Sequence, residues 1–482
     1  MVWSFWLMSN PSRADASREG GEQQQVLSSS VQARKGETDK SNANLIFSSF
    51  AGLLQQWPNT FAYSGHSIIP GIVPRATLLY HGTNDTNGPP KEGLEWLAFD
   101  PEMSYRIASI RPGDTSLYTY VATHPLRVIY FDGQSASLGT PGFMDSQFAI
   151  INASVPEIFP DLGHFIEAEY ARATALCKLA DKYGFEGVVR MNTGFELLWL
   201  LNVINVTDPF TDNVPASTTK SHPAHKIFAP NYLRHGRQSP LSRGGFWNAV
   251  HSGSQHFFAP GEVRVILDPE GFISFYDGLE SLNAKRRSDG TSGGPRSRHR
   301  LYGISKEDAR TVQERLVEVL GRKNSENWRA DPGRPDWRAV VLTIVDRYSP
   351  LLGELDYLLN RADLNATVQA IEVRTLTYDL IMPSLDFSDW NSPEPGWACP
   401  RHSRPIRMII RSIEGTLERL CGKMYDLFEQ TILLHLPITP SLPFNSTLEV
   451  IARSKIPAWR EEVESLQKWA RLVYMGPLSA AL

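Results

Sequence analysis

The sequence has few cysteines, no excess of basic charge and no long apolar run, and each lack excludes a class of protein. Three cysteines among 482 residues allow at most one intrachain disulfide, which excludes a disulfide framework and a four-sulfur zinc site. The formal net charge of -4 argues against general nucleic-acid binding, because such proteins carry a broad basic field. No stretch contains the roughly 18 apolar residues that span a bilayer, so no membrane segment is expected.

The histidines do not fall in a metal-binding spacing. Some are scattered through the first half of the chain and others lie in loop-like sequence: His81, His124, His164, His235, His251 and His256. A protein-bound zinc ion needs three or four side chains that converge. We therefore expect no metal cofactor.

The sequence contains conflicting signals for the cellular compartment of the protein. Five Asn-x-Ser/Thr sequons favour a glycosylated, secreted protein: Asn84, Asn152, Asn205, Asn365 and Asn445. The first residues, MVWSFWLM, have an apolar run shorter than that of a normal signal peptide, with no basic residue before it and no small-residue cleavage site. We expect a secretory-pathway location, or a cytoplasmic one if the first residue given is the true start.

Composition and periodicity divide the chain into five segments. Residues 1–44 are polar and rich in Gln, Ser and Glu, so they are predicted to be disordered. Residues 45–206 alternate short β-prone runs with helical ones, and residues 301–482 are mainly helical. Between them we expect a linker at 207–244, then a β-hairpin and a basic flexible loop at 245–300. The predicted fold class is α+β.

The strand predicted at residues 76–80 ends in an unusual way. Its apolar run is followed by His81, Gly82 and Thr83, which place an imidazole, a bare backbone and a hydroxyl side by side. A strand that only fills a core more often ends in ordinary turn residues. This strand end is therefore either the mouth of a small binding site or a plain strand terminus.

Glu196 is the second unusual residue. It is the only charge in the apolar run FELLWLLNV, and strand alternation puts it on the same face as Leu198 and Leu200. Burying an unpaired carboxylate is costly, so a carboxylate placed there either has a fixed partner or takes part in chemistry. The alternative is an edge strand on which Glu196 points to water.

Tyr105 is the third candidate. A strand predicted at residues 94–99 runs directly into DPEMSYRIAS, residues 100–109, whose Asp, Pro and Glu are typical of a helix start. Tyr105 lies near the same sheet mouth as His81 if the two predicted strands are neighbours. The alternative is that Tyr105 only packs.

Taken in order, these motifs resemble the ADP-ribosyltransferase superfamily, above all its branch with a His, Tyr, Glu signature. The order is a strand ending in His-Gly-Thr, an aromatic strand leading into DPEMSY, a helix, YGFEGVVRM and a strand with an isolated Glu. The resemblance covers about residues 66–206. It implies a split β-sheet domain that uses NAD as its substrate.

The resemblance also implies a role for each residue. His81 and Thr83 would hold the adenosine-side ribose, and the Gly82 backbone would pair with the nicotinamide amide. Tyr105 would stack on the nicotinamide ring, and Glu196 would hydrogen-bond the nicotinamide ribose. Cleavage of the nicotinamide–ribose bond passes through an oxocarbenium-like state, which a fixed carboxylate stabilises without any metal.

Two positions depart from the pattern of this superfamily. Trp96 stands where its second motif usually has Tyr, so Trp96 is expected to contact NAD without offering the same hydroxyl. Gly194 stands where the arginine-directed branch has an additional Glu, so modification of arginine by that route is not implied.

A second resemblance spans more of the chain, from about residue 60 to 480. The phrases GHSIIPG, LLYHGT, EWLAFDPEMSY, HPLRVIYFDGQSA and GFEGVVRMNTGFE resemble those of a large group of uncharacterised proteins in filamentous fungi. That group carries no known activity, and it favours a secretory-pathway role.

These observations leave three hypotheses for function. The first is NAD-dependent ADP-ribosyl transfer or NAD glycohydrolysis, with Glu196 as the catalytic carboxylate and a protein or water as acceptor. The second is a non-catalytic secreted or surface interaction protein on the same fold. The third is a hydrolase with a carboxylate pair, Asp132 and Glu196, although Asp132 precedes Gly133 in an ordinary turn context. No nucleic-acid or membrane partner is expected.

Overall fold

A nine-stranded mixed β-sheet lies in the first 274 residues of the chain. The computed structural model describes residues 42–56, 66–84, 94–109, 116–122, 124–136, 142–157, 165–192, 194–200, 264–282, 300–325, 335–382, 407–436 and 445–470. The strands are β1 (Ser67–Val73), β2 (Leu78–Thr83), β3 (Leu94–Ala98), β4 (Ser116–Val121), β5 (Leu126–Phe131), β6 (Gly187–Asn192), β7 (Gly194–Leu200), β8 (Ile266–Leu267) and β9 (Ile273–Ser274).

The strand order differs from the chain order. Across the sheet it runs β4-β2-β3-β7-β6-β5-β1-β8, and β9 also pairs with β1. The pairing of β5 with β6 is parallel and the other registered pairings are antiparallel. The parallel pair needs a crossover connection, which two of the helices provide.

Helices cover both faces of the sheet. They are α1 (Ala43–Gln55), α2 (Pro101–Ser109), α3 (Asp145–Asn152), α4 (Phe165–Lys182), α5 (Lys306–Ser325), α6 (Trp337–Leu359), α7 (Ala366–Ile381), α8 (Arg407–Ile432) and α9 (Ser446–Ala470). One core contains residues of α1, α6, α7, α8 and α9 together with one face of the sheet. We call this face the bundle face. The second core contains residues of α3, α4 and α5 with the other face, which we call the α4 face.

The α+β class predicted from the sequence is confirmed. The helices predicted at residues 100–109 and 164–183 are present as α2 and α4. The hairpin predicted around the turn at residue 193 is also present, because β6 and β7 pair in antiparallel register from Asn192 with Gly194 onward. Alternation and turn residues lie in consecutive sequence, so these local elements follow from it directly.

The hairpin predicted beyond residue 245 is wrong. β8 and β9 each pair with β1, and not with each other. Between them Asp268 caps a short 3-10 turn by accepting from the Glu270 amide, so the chain bends and presents each short strand to a different part of β1. The two strands therefore extend the sheet of the preceding segment.

The division into domains stays a prediction. Residues 41–482 form one compact unit by their contacts, and α1 packs against α8 of the C-terminal region. The disordered segment predicted at the N-terminus lies outside the described residues except for its last three positions, Asn42 and the first two residues of α1. The predicted linker at 207–244 lies outside them entirely.

The cysteines fall into two chemical states. Cys177 is a free thiol in α4, and burial raises its pKa to about 12, so it is not a reactive nucleophile. Cys421 of α8 is disulfide-bonded. Cys399 lies outside the residues that the structure describes.

In the described helices, none combines the length and the apolar character that crossing a bilayer requires.

Two of the sequons are helix caps. Asn365 precedes α7, and its side chain accepts from the amides of Thr367 and Val368 at 2.9 and 3.4 Å. Asn445 precedes α9 and accepts from the amides of Thr447 and Leu448 in the same way. Asn is a favoured N-cap residue, so these two positions have a folding role whether or not they carry a glycan.

The cap at Asn365 gives a testable expectation. Asn365→Ala should lower the free energy of unfolding by about 1 kcal/mol, because the Val368 amide loses its side-chain acceptor and the Thr367 amide keeps only Glu449. Urea denaturation of the full chain measures it. Asn365→Ser is the matched control, since Ser removes the sequon but can still cap. Equal losses in both variants would contradict the capping role.

Candidate functional site

The register of the sheet decides which candidate side chains meet. Tyr80 pairs with Ala98, and Ala98 pairs with Glu196, so these three residues share one face. Leu198, two residues beyond Glu196, belongs to the core on the α4 face. His81 is one residue from Tyr80 and points the other way, to the bundle face, where Leu79 is part of the core. His81 and Glu196 therefore lie on opposite faces of the sheet.

The carboxylate of Glu196 is held by a buried arginine. Arg190 lies opposite Glu196 in the β6–β7 hairpin, and its Nε donates to Glu196 Oε1 at 3.0 Å. The side chain of Arg190 is 1% exposed and that of Glu196 is 12% exposed. Glu196 therefore neither points to open water nor lies unpaired in the core. It belongs to the first of the two cases that the sequence left open, a buried carboxylate with a fixed partner.

Helices α3 and α4 complete the surroundings of Arg190. Its Nη1 donates to Gln147 Oε1 of α3 at 3.0 Å, and its Nη2 bonds Glu169 of α4. Glu169 also pairs with Arg172, one turn along the same helix. We call this set the Arg190 network: Gln147, Glu169, Arg172, Arg190 and Glu196.

The charges of the Arg190 network balance. It contains two guanidinium groups and two carboxylates, all with little exposed surface. Burial, followed by the neighbouring Arg190 charge, lowers the pKa of Arg172 to about 9. The Arg172 guanidinium also lies 5.1 Å from the centre of the Phe148 ring. A buried pair of this kind is costly to break, because removing one member leaves an unpaired charge in the core.

A signal for Arg190 was present in the sequence. GVVRMN and GFELL are both apolar runs with one charge each, of opposite sign, on the two sides of a predicted turn. Counting outward from the turn places Arg190 opposite Glu196, as the register confirms. Cross-strand pairs of opposite charge stabilise antiparallel strands. Glu169 and Gln147 had no such signal, because only packing brings α3 and α4 to this point.

His81 is buried on the bundle face of the sheet. Its Nδ1 lies 3.0 Å from the carbonyl oxygen of Trp96 and 3.6 Å from Glu95 Oε2. The carbonyl can only accept, so Nδ1 carries the proton in this arrangement. Thr83 is half-buried at the last position of β2.

Gly82 permits a close approach of α2. Its amide donates to Ser104 Oγ at 2.6 Å, so this donor already has a partner. A methyl group at Gly82 would collide with the Ser104 carbonyl oxygen and lie 2.9 Å from the Ala108 Cβ. Helix α2 also packs on Gly194 through Met103, which places α2 on the α4 face.

The two aromatic candidates, Trp96 and Tyr105, lie on the same side of the sheet as Glu196 and not on the side of His81. Trp96 lies on the α4 face, where its ring centre is 5.6 Å from that of Tyr170. Tyr105 is half-buried in α2, which covers the same face. Trp96, Tyr105 and Glu196 are thus associated with one side of the sheet, and the side chains of His81 and Thr83 with the other.

The remaining candidates have simpler surroundings. Asp132 is buried just after β5, and its Oδ1 accepts from the Gly133 amide at 2.7 Å. Gly133 has a φ of 67°, so the two residues form the turn that their sequence indicated. Within the described segments, no group of three or more His, Cys, Asp and Glu side chains could hold a metal ion.

A known protein family matches the part of the chain that contains β1 to β7. Residues 34–114 and 109–202 match the family described as the YPL277C N-terminal domain. The sheet-bearing segment is therefore similar to a yeast protein domain. No ADP-ribosyltransferase family is indicated, so that resemblance is carried by the motif residues alone.

The similarity to yeast proteins continues beyond that domain. The chain is 23% identical over 415 residues to the uncharacterized protein YPL277C of Saccharomyces cerevisiae, covering 72% of this chain and 82% of that protein. It is 22% identical over 413 residues to the uncharacterized protein YOR389W of the same yeast, covering 72% of this chain and 63% of that protein. No solved structure matches the chain.

Proposed function

We propose that this protein is a non-catalytic binding protein. The observation that carries the proposal is the bond between Glu196 and Arg190, because it occupies the carboxylate on which the enzyme hypothesis depends. A carboxylate that stabilises an oxocarbenium-like state must place its negative charge against the substrate. A buried guanidinium beside it neutralises that charge.

The separation of His81 from Glu196 supports the same proposal. In the superfamily that the motifs resemble, the two residues hold the two ribose groups of one NAD molecule. On opposite faces of one sheet their side chains do not line one cleft. His81 and Glu196 could therefore contact the same NAD molecule only if the strands were arranged differently.

NAD turnover is the second candidate function. Trp96, Glu196 and the helix that bears Tyr105 share the α4 face, and this observation favours a nicotinamide-side contact there. Arg190 would have to release Glu196 when NAD binds. The acceptor would then be water or a protein.

NAD binding and turnover distinguish the two candidates. We expect no nicotinamide release from NAD by the purified full chain, in a calorimetric titration followed by an assay of the same sample. Glu196→Gln should lower the free energy of unfolding by about 1–3 kcal/mol, because it replaces the charged partner of Arg190 on β7 by a neutral amide and leaves only the Glu169 carboxylate against this guanidinium. Release of nicotinamide by the wild type that Glu196→Gln abolishes would overturn the proposal.

The secretory-pathway location stays a prediction. The disulfide bond of Cys421 favours it, because disulfides persist mainly in oxidising compartments. The sequons at Asn365 and Asn445 add little support, since their helix caps explain them.

A further inference from the structure

A second cluster of titratable side chains lies on the bundle face, away from the Arg190 network. His81 of β2 pairs in register with Tyr118 of β4, and Leu79 pairs with Tyr120. Glu95 of β3 shares this face, because it alternates with Leu97 of the same core. We call these four residues the His81 cluster: His81, Glu95, Tyr118 and Tyr120.

The His81 cluster has unused hydrogen-bonding capacity. The Nδ1 proton of His81 is donated to the Trp96 carbonyl, which leaves the Nε2 atom as an acceptor. Tyr118 is only 3% exposed, and its phenol oxygen has no hydrogen-bond partner in the part of the chain that is described. Buried polar atoms are nearly always paired, so an orphaned phenol indicates a missing partner such as a ligand or a water molecule.

The charges of the His81 cluster are also incompletely balanced. Burial raises the pKa of Glu95, and His81 opposes this effect. Burial, then the Glu95 charge and then Tyr118 raise the pKa of Tyr120. The cluster therefore contains one carboxylate, two phenols and one imidazole. It has an excess of acceptors over donors.

The side chain of Glu95 connects the cluster to solvent. It is 22% exposed, whereas the His81 side chain is 10% exposed. A small ligand could thus reach the carboxylate without passing through the core. Tyrosine rings and a carboxylate together suit a positively charged nitrogen, because the ring face and the carboxylate both attract it.

We propose that the His81 cluster binds a protonated amine. Its N–H groups would donate to Glu95 and to the free acceptors on His81 and Tyr118. This inference rests on the binding function proposed above and names the chemical class of its ligand. Its residues do not include Glu196, so failure of amine binding is distinguishable from failure of the proposed function in the NAD experiment.

Calorimetry of the full chain with methylammonium chloride tests the proposal. Sodium chloride at equal ionic strength controls for salt, and methanol is the uncharged probe of similar size. We expect saturable binding of methylammonium and at least tenfold weaker binding by Glu95→Gln. Glu102→Gln is the matched control, since Glu102 is exposed on α2, and its affinity should equal that of the wild type.

Tyr118→Phe tests the proposal if Glu95→Gln does not fold. It removes one oxygen and should weaken methylammonium binding about fivefold, with an unfolding temperature no lower than that of the wild type. Equal binding by wild type and Glu95→Gln, equally tight binding of methanol, or no saturable heat at 100 mM methylammonium would each overturn the proposal. Absent binding together with a lower unfolding temperature for Tyr118→Phe would show that water occupies the site.

Discussion

Arg190→Met should lower the free energy of unfolding by about 3–5 kcal/mol. Methionine keeps an unbranched apolar side chain but carries no guanidinium, so Glu169 and Glu196 would be left buried without their shared partner. Removing one partner of a buried ion pair is among the most destabilising single substitutions known for proteins. Equilibrium denaturation in urea, followed by circular dichroism, measures the change.

An exposed ion pair provides the comparison. Arg322 of α5 pairs with Glu318 one turn away, and the two side chains are 58% and 70% exposed. Arg322→Met makes the same chemical change at a solvated position, where ion pairs contribute about 0–1 kcal/mol. If Arg190→Met were no more destabilising than Arg322→Met, the Arg190 network would have no structural role. Glu196 would then be available for chemistry.

Gly82→Ala should cost about 3 kcal/mol or more. The new methyl group would collide with the Ser104 carbonyl oxygen, which belongs to a helix backbone and cannot rotate away. Overpacking of this kind typically costs about 1–3 kcal/mol, and the backbone clash places this site at or above the upper end. Thermal unfolding monitored by circular dichroism measures the loss.

Another glycine controls for the effect of alanine itself. Gly353 is exposed within α6, and a methyl group added there would have no heavy atom within 4 Å. Gly353→Ala should raise stability by about 0.5–1 kcal/mol, because alanine is the better helix former. A loss of stability in Gly82→Ala together with a gain in Gly353→Ala would support the close approach of α2 and β2. A neutral Gly82→Ala would mean that α2 does not lie there.

The Gly82 prediction also bears on function. The resemblance to ADP-ribosyltransferases assigns its backbone to the nicotinamide amide, whereas in the fold its amide bonds Ser104 and its missing side chain admits α2. A glycine after histidine therefore has a packing explanation here. The same holds for Glu196, whose isolation in an apolar strand is explained by a buried arginine.

Much of the site was open to prediction from consecutive residues. A turn between GVVRMN and GFELL fixes which residues of the hairpin face each other, so the pair of Arg190 and Glu196 follows from local pattern and register. The start of α2 at DPEM and the stop of α4 before Gly184 are local in the same way. Contacts of Glu169 and Gln147 with Arg190 could not be predicted in this way, because the two residues lie on helices α4 and α3, outside the hairpin.

The sequence by itself determined the helices α2 and α4 and the β6–β7 hairpin, because propensity, alternation and turn chemistry act over a few neighbouring residues. Only the tertiary structure decided the order β4-β2-β3-β7, and with it the faces on which His81 and Glu196 lie. Strand order depends on how whole strands and helices pack, and a shift of one residue in register reverses every side chain. The strand order therefore places His81 and Glu196 on opposite faces of the sheet, although the motif resemblance assigns both to one NAD site.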